Sequence, residues 1–158
     1  MKVLELGSGL GVVGLSAATM GAQATLTDRP EALHMLSLNI HENKDQITSM
    51  GGYAVAEPLI WGDSKSQILQ EEYDMVVLAD CVYYEEAIDP LIETLKALTN
   101  SITKNPMIYL TQELRDSEIQ KKLWDIFFEK LMHNFSIEKI PEEQQHDFYR
   151  SPDILLLQ

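Results

Sequence analysis

The chain opens with Met1-Lys-Val-Leu-Glu-Leu-Gly7-Ser-Gly9-Leu-Gly11, the most informative part of the sequence. Its mainly apolar beginning, residues 2–6, predicts a buried strand that runs directly into a glycine-rich turn. Glycines without side chains let the backbone approach a ligand, and the helix that follows offers free N–H groups at its start. Asp28 ends the next apolar run and can accept hydrogen bonds from ribose hydroxyls. The pattern therefore predicts a site for a nucleoside-bearing ligand.

Strands and helices alternate along the rest of the chain. A helix is predicted at 12–20, a strand at 23–27 and a helix from Pro30 to about Asn43. Further strands are predicted at 53–60, 73–79, 107–111, 135–140 and 153–158, with helices beginning at Asp89-Pro90 and at Glu118. This alternation requires right-handed crossovers and a mostly parallel sheet with helices on both faces, the α/β class.

The candidate ligand-binding residues all follow predicted strands. In parallel sheets of this class, ligands bind beyond the carboxyl ends of the strands. The segments found at these ends are Gly7–Gly11, Asp28, Trp61, Asp80–Tyr84 and Gln112–Arg115. Since they share one edge of the sheet, we expect them to form a common site.

Length, charge and cysteine content narrow the function. The 158 residues, 45% apolar, suit a single domain. A net charge of −13 argues against DNA or RNA as a partner and fits a cationic protein surface, although many acidic proteins have no basic partner at all. The single cysteine, Cys81, excludes an intrachain disulfide and indicates a reducing compartment. With no membrane-spanning run or signal peptide in the sequence, we expect a cytoplasmic protein and leave a nuclear location open.

The sequence does not predict a metal site. His34 and His41 lie seven residues apart on one predicted helix, about 10 Å, which is too far to bind one ion. We interpret Cys81 as a packing residue, because no histidine near it in sequence could activate the thiol.

The glycine turn alone has two interpretations. Gly9-Leu-Gly11-Val-Val-Gly14 satisfies the dinucleotide pattern G-x-G-x-x-G, so an NAD-dependent oxidoreductase is an alternative. However, Gly7 already closes the strand two residues before that pattern begins. The run from Glu5 to Gly11 instead resembles the first motif of class I S-adenosylmethionine-dependent methyltransferases.

A second stretch, Asp80-Cys-Val-Tyr83, resembles the Asp-x-x-Tyr motif of methyltransferase family 16, a group of mostly protein-lysine methyltransferases. This resemblance implies a seven-stranded-type, Rossmann-like sheet whose last strand is antiparallel. It also implies S-adenosylmethionine as cofactor, with Asp80 and Tyr83 lining a lysine channel as the catalytic pair. The implied cofactor contacts are Gly7, Ser8, Gly9, Asp28, Trp61 and Ala79.

Purely structural roles stay open for these residues. Asp28 is also placed to cap the helix before Pro30, and Trp61 to serve as a core aromatic. Asp80 is equally suited to capping a turn, and Tyr83 to being buried.

The end of the chain, 138–154, contains the motifs Glu138-Lys-Ile-Pro141, His146-Asp147, Tyr149-Arg-Ser151 and Asp153-Ile154. These motifs resemble those of family members that modify valosin-containing protein. The resemblance implies a protein substrate of that kind, an AAA ATPase. We also expect a monomer that has neither nucleic acid nor a membrane as partner. Family members carry a segment before the first strand, so we expect a single methyltransferase domain over 1–158 that lacks this segment. A cofactor-binding module with little activity is therefore a further alternative.

Overall fold

The computed structural model describes residues 1–100 and 105–158. Within these residues six strands form one sheet in the order β3-β2-β1-β4-β5-β6, parallel except for the antiparallel pair β5 and β6. The predicted fold class is confirmed. The strands are β1 Lys2–Leu6, β2 Gln23–Asp28, β3 Tyr53–Pro58, β4 Met75–Ala79, β5 Met107–Glu113 and β6 Ile154–Leu157.

Helices connect the strands and cover both faces of the sheet. Leu6 lies in a buried cluster with Leu91, whereas Leu26 lies in a separate one with Leu36. Leu26 precedes Thr27, the register partner of Leu6, so the two leucines point to opposite faces. The helices are α1 Val12–Thr19, α2 Leu33–Glu42, α3 Lys44–Ser49, α4 Glu85–Thr99 and α5 Glu118–Asn134. None of the described helices is long and apolar enough to span a bilayer.

The fourth helix begins before its predicted start at Asp89-Pro90. Tyr84 is extended and α4 begins at Glu85, so Pro90 lies inside the helix. An interior proline removes one backbone hydrogen bond. Here the added turn buries Ile88 on the same face as Leu91, which offsets that loss.

Two other predicted elements differ from the structure. The helix predicted from Pro30 begins at Leu33, and the short α3 follows it directly. The strand predicted at 135–140 is reduced to an isolated antiparallel bridge between Lys139 and Leu157. Pro141 follows at once and has no N–H with which to extend the pairing.

Candidate active site

A cavity of about 650 Å³ lies at the carboxyl ends of β1, β2 and β4. Its volume is within the range of small-molecule sites, about 300–1,000 Å³. The structure brings six of the predicted site residues together in its wall: Gly7, Gly9, Asp28, Trp61, Asp80 and Tyr83. The others lining it are Arg29, Leu59, Ile60, Cys81, Tyr84, Glu86, Ala87 and Pro90.

The glycine turn forms one side of this cavity. Gly7 and Gly9 both adopt left-handed backbone angles, with φ of 63° and 54°. A Cβ on Gly7 would lie 2.9 Å from Cys81 Sγ and 3.0 Å from the Trp61 ring, so no side chain fits there. A Cβ on Gly9 would meet no atom within 4 Å. The backbone at Gly9 is therefore open to a ligand.

Asp28 is bound to the glycine turn. Its Oδ2 accepts a hydrogen bond from Gly9 N–H at 2.7 Å, and its Oδ1 accepts one from Arg29 N–H at 2.7 Å. It does not cap α2, because the N-cap position of that helix is Ala32. The carboxylate thus ties β2 to the turn while lining the cavity, where a hydroxyl-bearing ligand can reach it.

Trp61 is half-buried and packs against Gly7 on the wall of the cavity. Its loop is held to α4, since Gly62 N–H donates to the Thr94 hydroxyl at 2.9 Å and Thr94 itself is buried. The indole is therefore held beside the glycine turn, where it lines the cavity.

Ser8 and Ala79 do not line this cavity. Ser8 is buried, and its N–H donates to Thr27 O at 2.9 Å. Ala79 instead borders a neighbouring cavity of about 310 Å³, which it shares with Asp80, Glu113 and residues that precede β6. Asp80 thus separates the two cavities, while cofactor contacts by Ser8 and Ala79 stay predictions.

Asp80 has the only left-handed backbone among the described residues other than glycine, with φ of 54°. Two side chains hold its carboxylate. Gln112 Nε2 donates to Oδ1 at 2.7 Å, and the Arg115 guanidinium pairs with Oδ2. Such a backbone conformation persists where the surroundings enforce it, which is frequent at functional sites.

Tyr83, the other predicted catalytic residue, lines the cavity and is 46% exposed. Its ring meets that of Tyr84 edge to face, with the centroids 4.7 Å apart. Partial burial raises the pKa of the Tyr83 hydroxyl, so it stays a neutral hydrogen-bonding group at physiological pH.

Glu5, in β1 just before the glycine turn, is a buried residue for which the sequence predicted no role. It is 4% exposed, and its Oε2 accepts a hydrogen bond from Gly14 N–H at 3.0 Å, which fastens α1 to β1. Burial raises the pKa of this carboxyl to about 7. The available signal was an acidic residue within an apolar strand, since buried carboxylates are rare without a specific partner.

Cys81 is 4% exposed, and burial raises the pKa of its thiol to about 12. A protonated, inaccessible thiol is a poor nucleophile, in agreement with a packing role. Within the described residues no group of histidine, cysteine and acidic side chains is arranged to hold a metal ion.

The glycine turn by itself is compatible with both cofactor classes. A Cβ on Gly14 would lie 2.5 Å from Glu5 Oε2 and 2.6 Å from Leu26 Cγ. This close approach of helix to strand is also what the third glycine of a dinucleotide site provides. Together with Asp28, Trp61 and the Asp80–Tyr83 segment, the turn lines one cavity. That cavity has room for a nucleoside ligand, and the Asp80 carboxylate in its wall can bind a cation.

A family model described as lysine methyltransferase matches residues 1–134. Protein N-lysine methyltransferase METTL21A of Danio rerio is 34% identical over 148 residues, 94% of this chain and 63% of that protein. EEF1A lysine methyltransferase 3 of Mus musculus is 38% identical over 114 residues, 72% of this chain and 46% of that protein. The chain thus spans less than two thirds of the length of these relatives.

Solved structures share the fold at low sequence identity. An O-methyltransferase family protein from Burkholderia thailandensis matches with a TM-score of 0.65 and 14% identity, over 99% of this chain and 49% of that one. The glycopeptide N-methyltransferase MtfA, complexed with sinefungin, matches with a TM-score of 0.63 and 10% identity, over 99% of this chain and 78% of that one.

Proposed function

Since this chain belongs to the lysine methyltransferase family, we propose that it transfers a methyl group from S-adenosylmethionine to a lysine side chain of a protein. One observation carries the proposal. The glycine turn and Asp28 line the same cavity as Asp80 and Tyr83, so a nucleoside cofactor and a substrate amine would meet there. Family membership favours S-adenosylmethionine over NAD.

The residues present suit this cofactor. The open space above Gly9 leaves room for it beside the backbone, and the Asp28 carboxylate can accept hydrogen bonds from ribose hydroxyls. Trp61 offers an aromatic face for adenine. When bound, S-adenosylmethionine supplies an electrophilic methyl group on a positively charged sulfur.

The remaining work of the chain is to orient a neutral amine. A carboxylate and a phenol three residues apart, Asp80 and Tyr83, can hold a lysine Nζ by hydrogen bonds while its proton leaves to water. Their cavity is also lined by the aromatic ring of Tyr84, which limits access of water to the methylene chain of a lysine. In this scheme Asp80 and Tyr83 are the catalytic residues.

For the substrate we propose a valosin-containing-protein-like AAA ATPase, which the motifs at 138–154 support. The net charge of −13 favours a basic surface around the target lysine. Because one relative is named EEF1A lysine methyltransferase 3, elongation factor 1A is the alternative substrate to test. We further propose that the protein is a monomer and is cytoplasmic; its single cysteine, Cys81, is free and buried, which suits a reducing compartment.

Calorimetry and methyl transfer test the proposal together. Titration with S-adenosylmethionine and with NAD separates the two cofactor classes, and tritiated methyl transfer to a cell lysate, to the ATPase and to elongation factor 1A identifies the acceptor. We expect S-adenosylmethionine binding, labelled lysine in the ATPase, and at least a tenfold loss with Asp80→Asn while cofactor affinity is kept.

Asp45→Asn is the matched control, since Asp45 is an exposed carboxylate on α3, outside the cavity. Binding of NAD alone would favour an oxidoreductase. Cofactor binding without transfer to any protein would leave a binding module.

A further inference from the structure

The carboxylate of Asp80 is held from two sides by residues of different chemistry. Gln112 is neutral and 4% exposed, and its amide donates to Oδ1 at 2.7 Å. Arg115 is charged and its side chain is 44% exposed, and it pairs with Oδ2. The two oxygens of one carboxylate therefore have a fixed neutral partner and an accessible cationic one.

Gln112 also shapes the backbone that carries the catalytic pair. Its Oε1 accepts a long hydrogen bond, 3.4 Å, from Val82 N–H, next to Tyr83. One buried amide thus contacts both the side chain of Asp80 and the turn that follows it. The left-handed backbone of Asp80 lies between these two contacts, so the amide helps to enforce that conformation.

Arg115 changes the charge that a substrate amine would experience. A lone carboxylate stabilises a bound ammonium and opposes loss of its proton, yet only the neutral amine has an electron pair with which to attack. The Arg115 guanidinium offsets part of the negative charge at Asp80, although it also pairs with Glu113, whose Oε2 lies 2.8 Å from Nε. With this cation present, the ammonium proton leaves to water more easily and the electron pair stays on Nζ.

We propose that Gln112 and Arg115 are positioning residues that act through Asp80, an inference that rests on the proposed lysine methyl transfer. Gln112 fixes the direction of the carboxylate. Arg115 offsets part of its charge, so that a bound lysine loses its proton more readily than it would beside Asp80 alone.

Other charged and titratable groups face this site from every neighbouring element. Arg29 and Asp28 at the end of β2 and Glu86 in α4 line the larger cavity. Asp153, before β6, lines the smaller one together with Glu113. Cys81 and Tyr83 are the titratable residues nearest to Asp80 along the chain. Arg115 also lines a third cavity, together with Asp116, Lys121 and Asp125. Of these, only Glu113 makes an ion pair with Arg115 in the structure, so the variants below alter Gln112 and Arg115 alone.

The pH dependence of methyl transfer separates the two roles. We measure tritium incorporation into the labelled acceptor band of a cell lysate from pH 6 to 10. For Arg115→Gln we expect about a tenfold loss at pH 7 and a rate midpoint about one pH unit higher, because the ammonium holds its proton more tightly. Arg115→Lys should restore most of that shift. For Gln112→Leu we expect a similar loss at every pH, with the midpoint unchanged.

Two further measurements distinguish positioning from general damage. Calorimetry should give S-adenosylmethionine affinities within about threefold of the original chain for all variants. In urea unfolding, Asp80→Ala and Gln112→Leu should combine less than additively, because each substitution removes the hydrogen bond from Gln112 to Asp80. The control is Lys121→Gln, a neighbouring cation that pairs with Asp116 and does not touch Asp80.

The outcomes are distinct. An original chain that binds the cofactor but labels no protein at any pH would overturn the proposed function and this inference with it. An active original chain whose Arg115→Gln variant keeps the same midpoint, or whose Asp80 and Gln112 substitutions combine additively, would overturn the inference and leave the proposed function intact.

Discussion

Asp28 and Gly9, nineteen residues apart in sequence, are joined by a hydrogen bond of 2.7 Å from Gly9 N–H to Asp28 Oδ2. The bond closes the glycine turn onto the end of β2, so the two parts of the predicted cofactor site are preassembled. A ligand that binds Asp28 meets a carboxylate whose direction is already fixed. Such preorganisation lowers the entropic cost of binding.

Replacing Asp28 should therefore weaken cofactor binding more than folding. A hydrogen bond to a charged group contributes about 1.5–3 kcal/mol, so we expect Asp28→Ala to lower S-adenosylmethionine affinity about 10- to 100-fold by calorimetry. Asp28→Asn keeps an acceptor for Gly9 N–H and should unfold at nearly the original urea concentration. An Asp28→Ala chain with unchanged affinity would rule out contact with the ribose.

Glu5 should make stability fall as pH rises. Burial raises the pKa of its carboxyl from 4.5 to about 7, so between these values the folded chain binds more protons here than the unfolded chain. The stability that the protonated Glu5 carboxyl contributes is fully present below pH 4.5, and it is lost as the pH rises through about 7.

Glu5→Gln tests this, because the amide still accepts from Gly14 N–H but does not ionise. Relative to the original chain, the variant should gain stability by up to about 3 kcal/mol between pH 4.5 and 8, measured by urea unfolding. Parallel stability curves for the two proteins would contradict the prediction.

Gly11 and Gly9 provide a matched pair with the same substitution. A Cβ on Gly11 would lie 2.6 Å from Leu36 Cδ1 and 2.8 Å from Leu26 Cδ2, and its φ is 85°. We expect Gly11→Ala to lower the free energy of unfolding by about 2–4 kcal/mol, combining overpacking with left-handed strain. Gly9→Ala should lower the free energy of unfolding by only about 1 kcal/mol, the cost of the left-handed backbone. It also places a methyl group in the cavity, which should reduce cofactor affinity. Equal destabilisation by both substitutions would disprove the packing argument.

Cys81 should be unreactive while the chain is folded. Its thiol is 4% exposed and burial raises its pKa to about 12, so little thiolate forms at pH 8. We expect no titration by dithiobisnitrobenzoate in buffer and rapid titration of one thiol in denaturing urea. Rapid reaction of the native chain would show that the loop after β4 opens.

Much of the fold could be predicted because its signals are local. Continuous apolar runs such as 75–79 indicate strands buried on both faces, and the helical spacing of apolar residues in 118–134 indicates an amphipathic helix. Predictions that relied on a single local signal were less accurate. Pro90 was interpreted as a helix start, but burial of Ile88 against the core extends the helix past it.

The residues of the candidate site were likewise predictable where the signal is local and not where it depends on tertiary packing. Position after a strand placed Gly7, Asp28 and Asp80 at one edge of the sheet without any coordinates, and the structure gathers them in one cavity. Position alone does not give the direction of a side chain. Ser8 belongs to the glycine turn yet is buried beneath it, with its N–H bound to Thr27 O.

The alternation of strands and helices, the glycine turn and the edge where the site forms can all be predicted from local sequence, because hydrophobic periodicity and backbone freedom are properties of neighbouring residues. The partners of Asp80 and the burial of Glu5 depend on the packing of the whole chain. Gln112 and Arg115 lie 32 and 35 residues from Asp80 and reach it because β4 and β5 are paired in one register. Contacts at such separations depend on packing of the whole sheet, and with them the charge and direction of the groups that would act on a substrate.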